Sequence, residues 1–332
     1  MNKINLISLS SPAGGGKDLV TFIIQSLNAW EESTEEFQRE YETVEDYIID
    51  CISNPNLYRH YSKWQNKKFA YKLKQMLGLL IGKSVEWIEE NKDVELGEEW
   101  AIWKVDSSYN EYRKIKCFSE YSIAEDYYNF INDENTNITK IIPTVRLALQ
   151  LIGTEVFRDT FHRNTWTNAL FADYTKDKCT PYCQKLSIAN PDNGCTDMSE
   201  CDYAPYWIIS DSRFKNELQA VKNRGGITVM IDSTERLNIL RVAEAERLAQ
   251  IELMNESDDI FYQDKNGDYH LMNNSYQDKY TKLYNKYYNE LEDNHASEND
   301  WKNWKFDYVI DNNKDLLHLI KDVEKFMKHY KL

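Results

Sequence analysis

The chain has 332 residues, 42% of them apolar and 29% charged, and a formal net charge of −15. That length suits one large α/β domain or two ordinary ones, and 23 tyrosines and nine tryptophans supply much of the core volume. The negative balance excludes broad, non-specific binding to nucleic acid or anionic membrane, and no apolar run is long enough to span a bilayer. A soluble cytoplasmic protein is expected, with room for a local basic pocket that holds a small anionic ligand.

The N-terminal apolar patch is too short and too broken by serines and glycines for a signal peptide, so a buried strand is expected over Ile4–Leu9. It runs into SPAGGGKD, Ser11 to Asp18, and then into an apolar helix from Leu19. This resembles the phosphate-binding pattern G-x-x-x-x-G-K-[ST], with Ser11 where a glycine is usual and Asp18 where a hydroxyl is usual. Gly14, Gly15 and Gly16 can take the positive φ values that let backbone N–H groups line an anion nest. Ala13 and Leu19 flank that nest, and Lys17 would reach the β- and γ-phosphates. Asp18 either binds Mg²⁺, directly or through water, or only caps the helix.

Further along, Lys68–Tyr71 reads as a strand, and the acidic, tyrosine-rich stretches Glu31–Tyr61, Val85–Thr139 and Met254–Asp293 read as solvated helices and loops. Residues Asn255–His270 suggest a hairpin turning at Asn266-Gly267. Thr144–Arg158 is expected to be one helix with Val145, Ala148, Leu149, Ile152 and Val156 on its core face. Arg146, Gln150, Thr154 and Arg158 then form a polar stripe whose arginines lie about 18 Å apart. That stripe fits a nucleotide or is simply solvent-facing, and Trp166 either stacks on a base or fills the core.

Cys179, Cys183, Cys195 and Cys201 form a loosely spaced group that suggests structural Zn²⁺, against the alternative of separate free thiols. Buried strands follow at Tyr206–Ile209, Ile227–Ile231 and Tyr308–Ile310, with helices at Asn216–Arg224 and Leu316–Met327. Strand–helix alternation of this kind implies a central parallel sheet covered by helices on both faces. Asp211, at the carboxyl end of a strand, is a candidate ligand-facing acid or a helix cap, and Arg213 a candidate phosphate contact.

The motifs taken in order resemble the phage-type deoxynucleoside monophosphate kinases, which are P-loop enzymes. The matching pieces are GGGKD (Gly14–Asp18), FAYKLK (Phe69–Lys74), RLALQLIGTEVFR (Arg146–Arg158) with Trp166, ISDSRFKNE (Ile209–Glu217), GGITVMI (Gly225–Ile231), HASE (His295–Glu298) and FDYVIDN (Phe306–Asn312). Together they span both termini but cover well under half of the chain. Asp18 is the usual residue of that family; Ser11 and the greater length are departures from it.

The resemblance implies an α/β P-loop kinase core assembled from residues 1–30, 66–83, 141–173, 205–250 and 294–332, with helical and loop insertions at 31–65, 84–140, 174–204 and 251–293. It implies transfer of the ATP γ-phosphate to a deoxynucleoside monophosphate, with Mg²⁺ near Asp18. Lys17, Arg158, Asp211 and Arg213 would serve transfer. Ala13, Gly14, Gly15, Gly16, Lys17, Asp18, Leu19, Arg241 and Asn312 would hold ATP. Lys74, Arg146, Gln150, Thr154, Arg158, Trp166 and Asp211 would hold the monophosphate. Arg236 and Arg241 would belong to a mobile lid. The expected partner is this small molecule, without direct nucleic-acid or membrane partners and with a homodimer left open. Two other readings stand beside this one: a non-catalytic nucleotide-binding protein, and a kinase acting on another small metabolite.

Overall fold

A computed structural model describes residues 4–55, 62–106, 116–131, 137–174, 205–255, 261–263, 269–271, 275–291 and 300–332. Its strands, numbered along the chain, are β1 (Leu6–Ser10), β2 (Trp64–Lys67), β3 (Ile102–Asp106), β4 (Lys116–Phe118), β5 (Asn137–Ile141), β6 (Tyr206–Ile209), β7 (Ile227–Asp232), β8 (Phe261–Gln263), β9 (Tyr269–Leu271) and β10 (Tyr308–Asp311). The chain divides into two compact units, Met1–Lys68 with Tyr174–Leu332, and Phe69–Asp173.

In the first unit the five strands β10-β7-β1-β6-β2 form a parallel sheet. Every residue of β1 is buried, as the central strand of a sheet covered on both faces must be. Alternation along β1 divides its side chains. Ile7 and Leu9 enter the main core beneath α1 (Lys17–Glu31), α3 (Val44–Ser53) and α12 (Leu316–Tyr330). Ser8 and Ser10 serve the other face, where Ser8 Oγ donates to Ser212 Oγ at 2.6 Å and Ser10 Oγ to the Ser212 carbonyl at 3.0 Å. Those two bonds tie the segment after β6 to the central strand. The helix that follows it, α9 (Lys215–Lys222), buries Leu218 and Val221.

The four strands expected from apolar runs are present within a residue or two of their expected ends, but three other expectations are not met in full. The strand placed at Lys68–Tyr71 lies earlier, as β2, because Trp64 is the side chain that buries against β6. Phe69–Ile81 is instead a helix, α4, with Phe69, Lys74, Leu77 and Gly78 buried at helical spacing. The stretch Glu31–Tyr61 is also more than solvated decoration. It carries α2 (Glu35–Gln38) and α3, and Tyr47, Ile48 and Cys51 of α3 join the main core. Trp30, Phe37, Tyr41 and Tyr47 pack there with ring centroids 5.1–6.2 Å apart. Glu35, Glu36, Glu45 and Asp46 occupy helix first turns, where the helix dipole favours them, so acidity did not mean full solvation.

The second unit holds α4, α5 (Val85–Glu90) and an antiparallel sheet ordered β4-β3-β5, packed by α6 (Tyr121–Ile131). Over Val85–Thr139, where solvated helices and loops were expected, the helices are present but the antiparallel sheet was not foreseen. The expected hairpin is present as the antiparallel pair β8–β9, with Tyr262 opposite His270; its turn at Asn266-Gly267 lies outside the described residues. Helix α10 (Thr234–Asn255) packs on α11 (Ser275–Glu290), along which Tyr280, Tyr284 and Tyr288 stack at 6.4 and 5.8 Å. No helix among the described residues is long and apolar enough to cross a membrane.

Asp307 pins the start of β10. Its carboxylate accepts from Lys222 Nζ at 2.6 Å, Thr228 N at 2.8 Å and Thr228 Oγ1 at 2.9 Å. Burial alone would raise this carboxyl, but the bonds from Lys222 and Thr228 outweigh it and hold it below the usual range. Its contribution to stability is therefore complete above the unfolded value of about 4 and fades as pH falls through the lower folded value. Asp307→Asn should cost about 1.5–3 kcal/mol at pH 7. The gap between the two urea midpoints should close in acid; a pH-independent gap would refute the argument.

Candidate functional site

Where β1 ends, a glycine-rich turn lies at the carboxyl edge of the parallel sheet. Gly14 and Gly16 adopt φ of +73° and +95°, the left-handed region that favours glycine. Gly15 is required for another reason. A Cβ there would collide with Ser11 Oγ and Cβ on one side and Ser233 Oγ on the other. Gly16 is the N-cap of α1 and, as a glycine, supplies no side-chain cap. Uncapped N–H groups at the positive end of a helix form an anion site.

Lys17 curls back over this turn. Its Nζ donates to the Ser11 carbonyl at 2.7 Å, Ser11 Oγ at 3.0 Å and the Pro12 carbonyl at 3.0 Å. Ser11 thereby acquires a role that its departure from the glycine pattern did not suggest: a buried hydroxyl that helps hold the lysine. Two distant residues brace the turn. Asn312 Nδ2 donates to the Gly15 carbonyl at 2.9 Å, and Arg236 Nη2 donates to the Gly14 carbonyl at 3.0 Å. Ala13 is exposed at the crown, whereas Leu19 packs against the main core.

Asp18 does not cap the helix, since Gly16 holds that position. Its carboxylate receives Lys68 Nζ at 2.8 Å and, more loosely, Ser210 Oγ at 3.4 Å. The N-cap position of α9 belongs to Phe214, three residues past Asp211. Glu217 reaches back from the first turn of that helix, accepting from Arg213 N at 2.8 Å and Phe214 N at 3.0 Å. Asp211 and Arg213 sit half-buried just past the carboxyl end of β6.

The arginines of α10 divide differently from the expectation. Arg241 lies 3.7 Å over the Tyr288 ring and donates to the Tyr288 carbonyl at 2.8 Å, which attaches it to α11. Arg236 is the one at the turn. Ser233 Oγ and Arg236 Nε are both buried beside it and find no hydrogen-bond partner among the described residues, a feature that marks working edges of proteins. Ser233, Ser210, Asn66 and Lys68 escaped the sequence reading. Polar residues within or just past the carboxyl ends of buried strands were the signal that could have found them.

The second unit holds the residues expected to meet a monophosphate. The single helix expected over Thr144–Arg158 is α7 (Val145–Gln150) followed by a π-helix, Leu151–Phe161. Wider i→i+5 turns rotate its later residues, so Val156, expected in the core, is 51% exposed while Gly153 is buried. Two neighbours fix this register: Leu73 leaves no room for a side chain at Gly153, and Trp166 Nε1 donates to the Gly153 carbonyl at 2.8 Å. The polar stripe is therefore broken, with Arg146 and Gln150 exposed on α7 and Thr154 and Arg158 half-buried on the π-helix. Trp166 is half-buried, with an edge contact to Phe157 at 5.5 Å.

Arg146 grips Asp93 with both carboxylate oxygens, at 2.9 and 3.2 Å, and its hydrogen bonds hold that carboxyl below the usual range. Lys74 is buried and paired with Glu89. Burial pushes the Glu89 carboxyl up, but Lys74 and Lys92 together bring it below its ordinary value. Both cations thus have resident acidic partners that an anionic ligand must replace or share.

No group of three or more His, Cys, Asp or Glu residues is placed to hold a metal among the described residues. Cys179, Cys183, Cys195 and Cys201 lie outside those residues. The described cysteines, Cys51 and Cys117, are free thiols, and burial, with help from the charge of Glu155, pushes Cys117 up to about 11. No protein family model matches the chain, and no curated protein sequence matches it. Fold and site together define a mixed α/β protein with a glycine-rich turn and a lysine at the carboxyl edge of a five-stranded parallel sheet.

Proposed function

We propose that the chain is a P-loop phosphotransferase that passes the γ-phosphate of ATP to a deoxynucleoside monophosphate. The observation that carries this reading is the Ser11–Asp18 turn. Two left-handed glycines, a third with no room for a side chain, a helix N-terminus whose N-cap is glycine and Lys17 are gathered at one strand end. The same edge carries Arg213 and Arg236 within the unit, which suits the charge of a polyphosphate.

In the reaction, an oxygen of the acceptor phosphate forms a bond to the γ-phosphorus as the bond to the β-phosphate oxygen breaks, leaving ADP and a deoxynucleoside diphosphate. Backbone N–H groups of the turn would hold the donor phosphates, the Gly15 N–H excepted because it donates to the Pro12 carbonyl at 3.0 Å, and Lys17 leaves its three loop acceptors to meet the transferred oxygens. Arg213 and Arg236 supply further positive charge. When bound, Mg²⁺ would neutralise phosphate charge, and Asp18 offers the hard oxygen it prefers. The acceptor assignments to Lys74, Arg146, Gln150, Thr154, Arg158 and Trp166 rest on the motif resemblance. Specific binding would require the acceptor phosphate to draw Arg146 and Lys74 from Asp93 and Glu89.

A coupled assay of ADP release with the four common deoxynucleoside monophosphates, and one carrying a modified base, tests the reading. Stimulation by at least one is expected. If none stimulates ADP formation, the kinase reading is lost; nucleotide binding without transfer would then favour a binding protein on the same fold.

A further inference from the structure

We propose that α10 pairs antiparallel with α10 of a second copy of this chain, about a two-fold axis that crosses the helix between Ala245 and Glu246. The inference is independent of the reaction proposed above, and its test uses no nucleotide.

Apolar side chains lie on two faces of α10, and α11 covers only one of them. Ala245, Ala249 and Leu253 are buried, and their four-residue spacing sets them on the face that packs on α11. Leu240, Glu244, Arg247 and Ile251 follow one another at spacings of four, three and four, which aligns them in a single stripe. At about 100° of rotation per residue, that stripe runs along the opposite side of the helix. Leu240 is 57% exposed and Ile251 41%, and Ile239 beside them is 67% exposed. A helix packed on one neighbour needs one apolar face, so the second face marks an interaction surface.

The order of the stripe selects the partner, because apolar, acidic, basic, apolar is complementary to its own reverse. Turned about the axis, Leu240 faces Ile251 of the second copy and Glu244 faces Arg247 of the second copy, and symmetry repeats both pairs. Within one helix Arg247 already holds Glu244, from Nε to Oε2 at 2.7 Å and from Nη2 to Oε1 at 2.6 Å. Two such pairs meeting at the axis place a guanidinium on both sides of each carboxylate. These side chains stay at the rim and set register, while the Leu–Ile contacts at both ends supply the attraction. A parallel pair would instead set Glu244 against Glu244 and Arg247 against Arg247. Leu240 lies one turn beyond Arg236, the residue bonded to the Gly14 carbonyl, so the pairing would also steady α10 against the glycine turn.

Sedimentation velocity of the nucleotide-free full chain over a wide concentration range tests the pairing. A reversible monomer–dimer equilibrium is expected, since a few turns of helix make a small interface. Leu240→Glu and Ile251→Glu should each raise the dissociation constant at least about tenfold, because each buries a charge against an apolar partner. Both positions are exposed in the single chain, so circular dichroism should not change. Glu244→Arg alone and Arg247→Glu alone should each weaken the dimer by facing like charges across the axis. Mixing those two variants should restore dimers, because each then meets only opposite charges on the other; an effect on the helix itself predicts no restoration. A wild type that stays monomeric at every concentration overturns the proposal and leaves the stripe to a different protein. It is equally overturned if Leu240→Glu and Ile251→Glu dimerise as the wild type does. Single charge reversals that leave the dimer unchanged, or a mixture that fails to restore it, would overturn the antiparallel register.

Discussion

Lys17→Ala is expected to lower phosphoryl transfer by about 10²–10³-fold, the loss seen when one aligned electrostatic donor is removed. The ammonium sits at the N-terminus of α1, within reach of the nest that would hold the donor phosphates, and it is fixed there by Ser11 and Pro12. Those acceptors give up the lysine without leaving a charge behind, since all three are neutral oxygens. The substitution removes no apolar packing from the main core, so the far-ultraviolet spectrum and the cooperative unfolding transition should persist. Folded protein with wild-type turnover would remove this turn from the donor site. A loss confined to KM would assign the lysine to ground-state binding alone.

Gly15→Ala should be the more damaging change to the site's architecture. Its methyl group meets Ser11 Cβ at 2.7 Å and Ser233 Oγ at 2.8 Å, and it overlaps Ser11 Oγ. Ser11 and Ser233 are both buried, so neither side can yield cheaply. Overpacking of this kind costs about 1–3 kcal/mol. Here it would also displace the Gly15 carbonyl from Asn312 and the serine from Lys17. Calorimetry should show lost nucleotide binding together with a lowered melting temperature. Adding Ser11→Gly to the variant should recover part of the stability but not all, because Ser233 remains. Additive effects of the two substitutions would refute the jammed-turn explanation.

The parallel strands were legible because their apolar runs are continuous, as in YWII and ITVMI, and because glycine and helix signals bound them. The turn was legible for the same reason: three glycines in succession have few structural uses. β2 was not legible. WQNK carries one deeply buried side chain, Trp64, and three polar or charged neighbours at the sheet's edge, so no periodicity announces it. The aromatic packing of α3 was hidden by acids that belong to helix first turns. The π-helix was beyond any period count, since its register depends on Leu73 and Trp166, which are distant in sequence from Gly153. At the site, the sequence offered Arg236 and Arg241 on equal terms. Only the packing of α10 against α11 and the turn distinguishes them, through Tyr288 for one and Gly14 for the other.

The brace from Asn312 has a consequence for the order in which the working protein is made. Gly15 and Asn312 are 297 residues apart, so the turn that opens the chain is completed by a residue near its far end. At ribosomal speeds of about 5–20 residues per second, that interval lasts about 15–60 s. During it the strand that follows Asp307 has not yet joined the sheet, and the glycines lack their fixed neighbour. A nascent or truncated chain that ends before Asn312 therefore holds the phosphate sequence without the phosphate geometry. On the proposed function, nucleotide capture would wait until synthesis has passed Asn312.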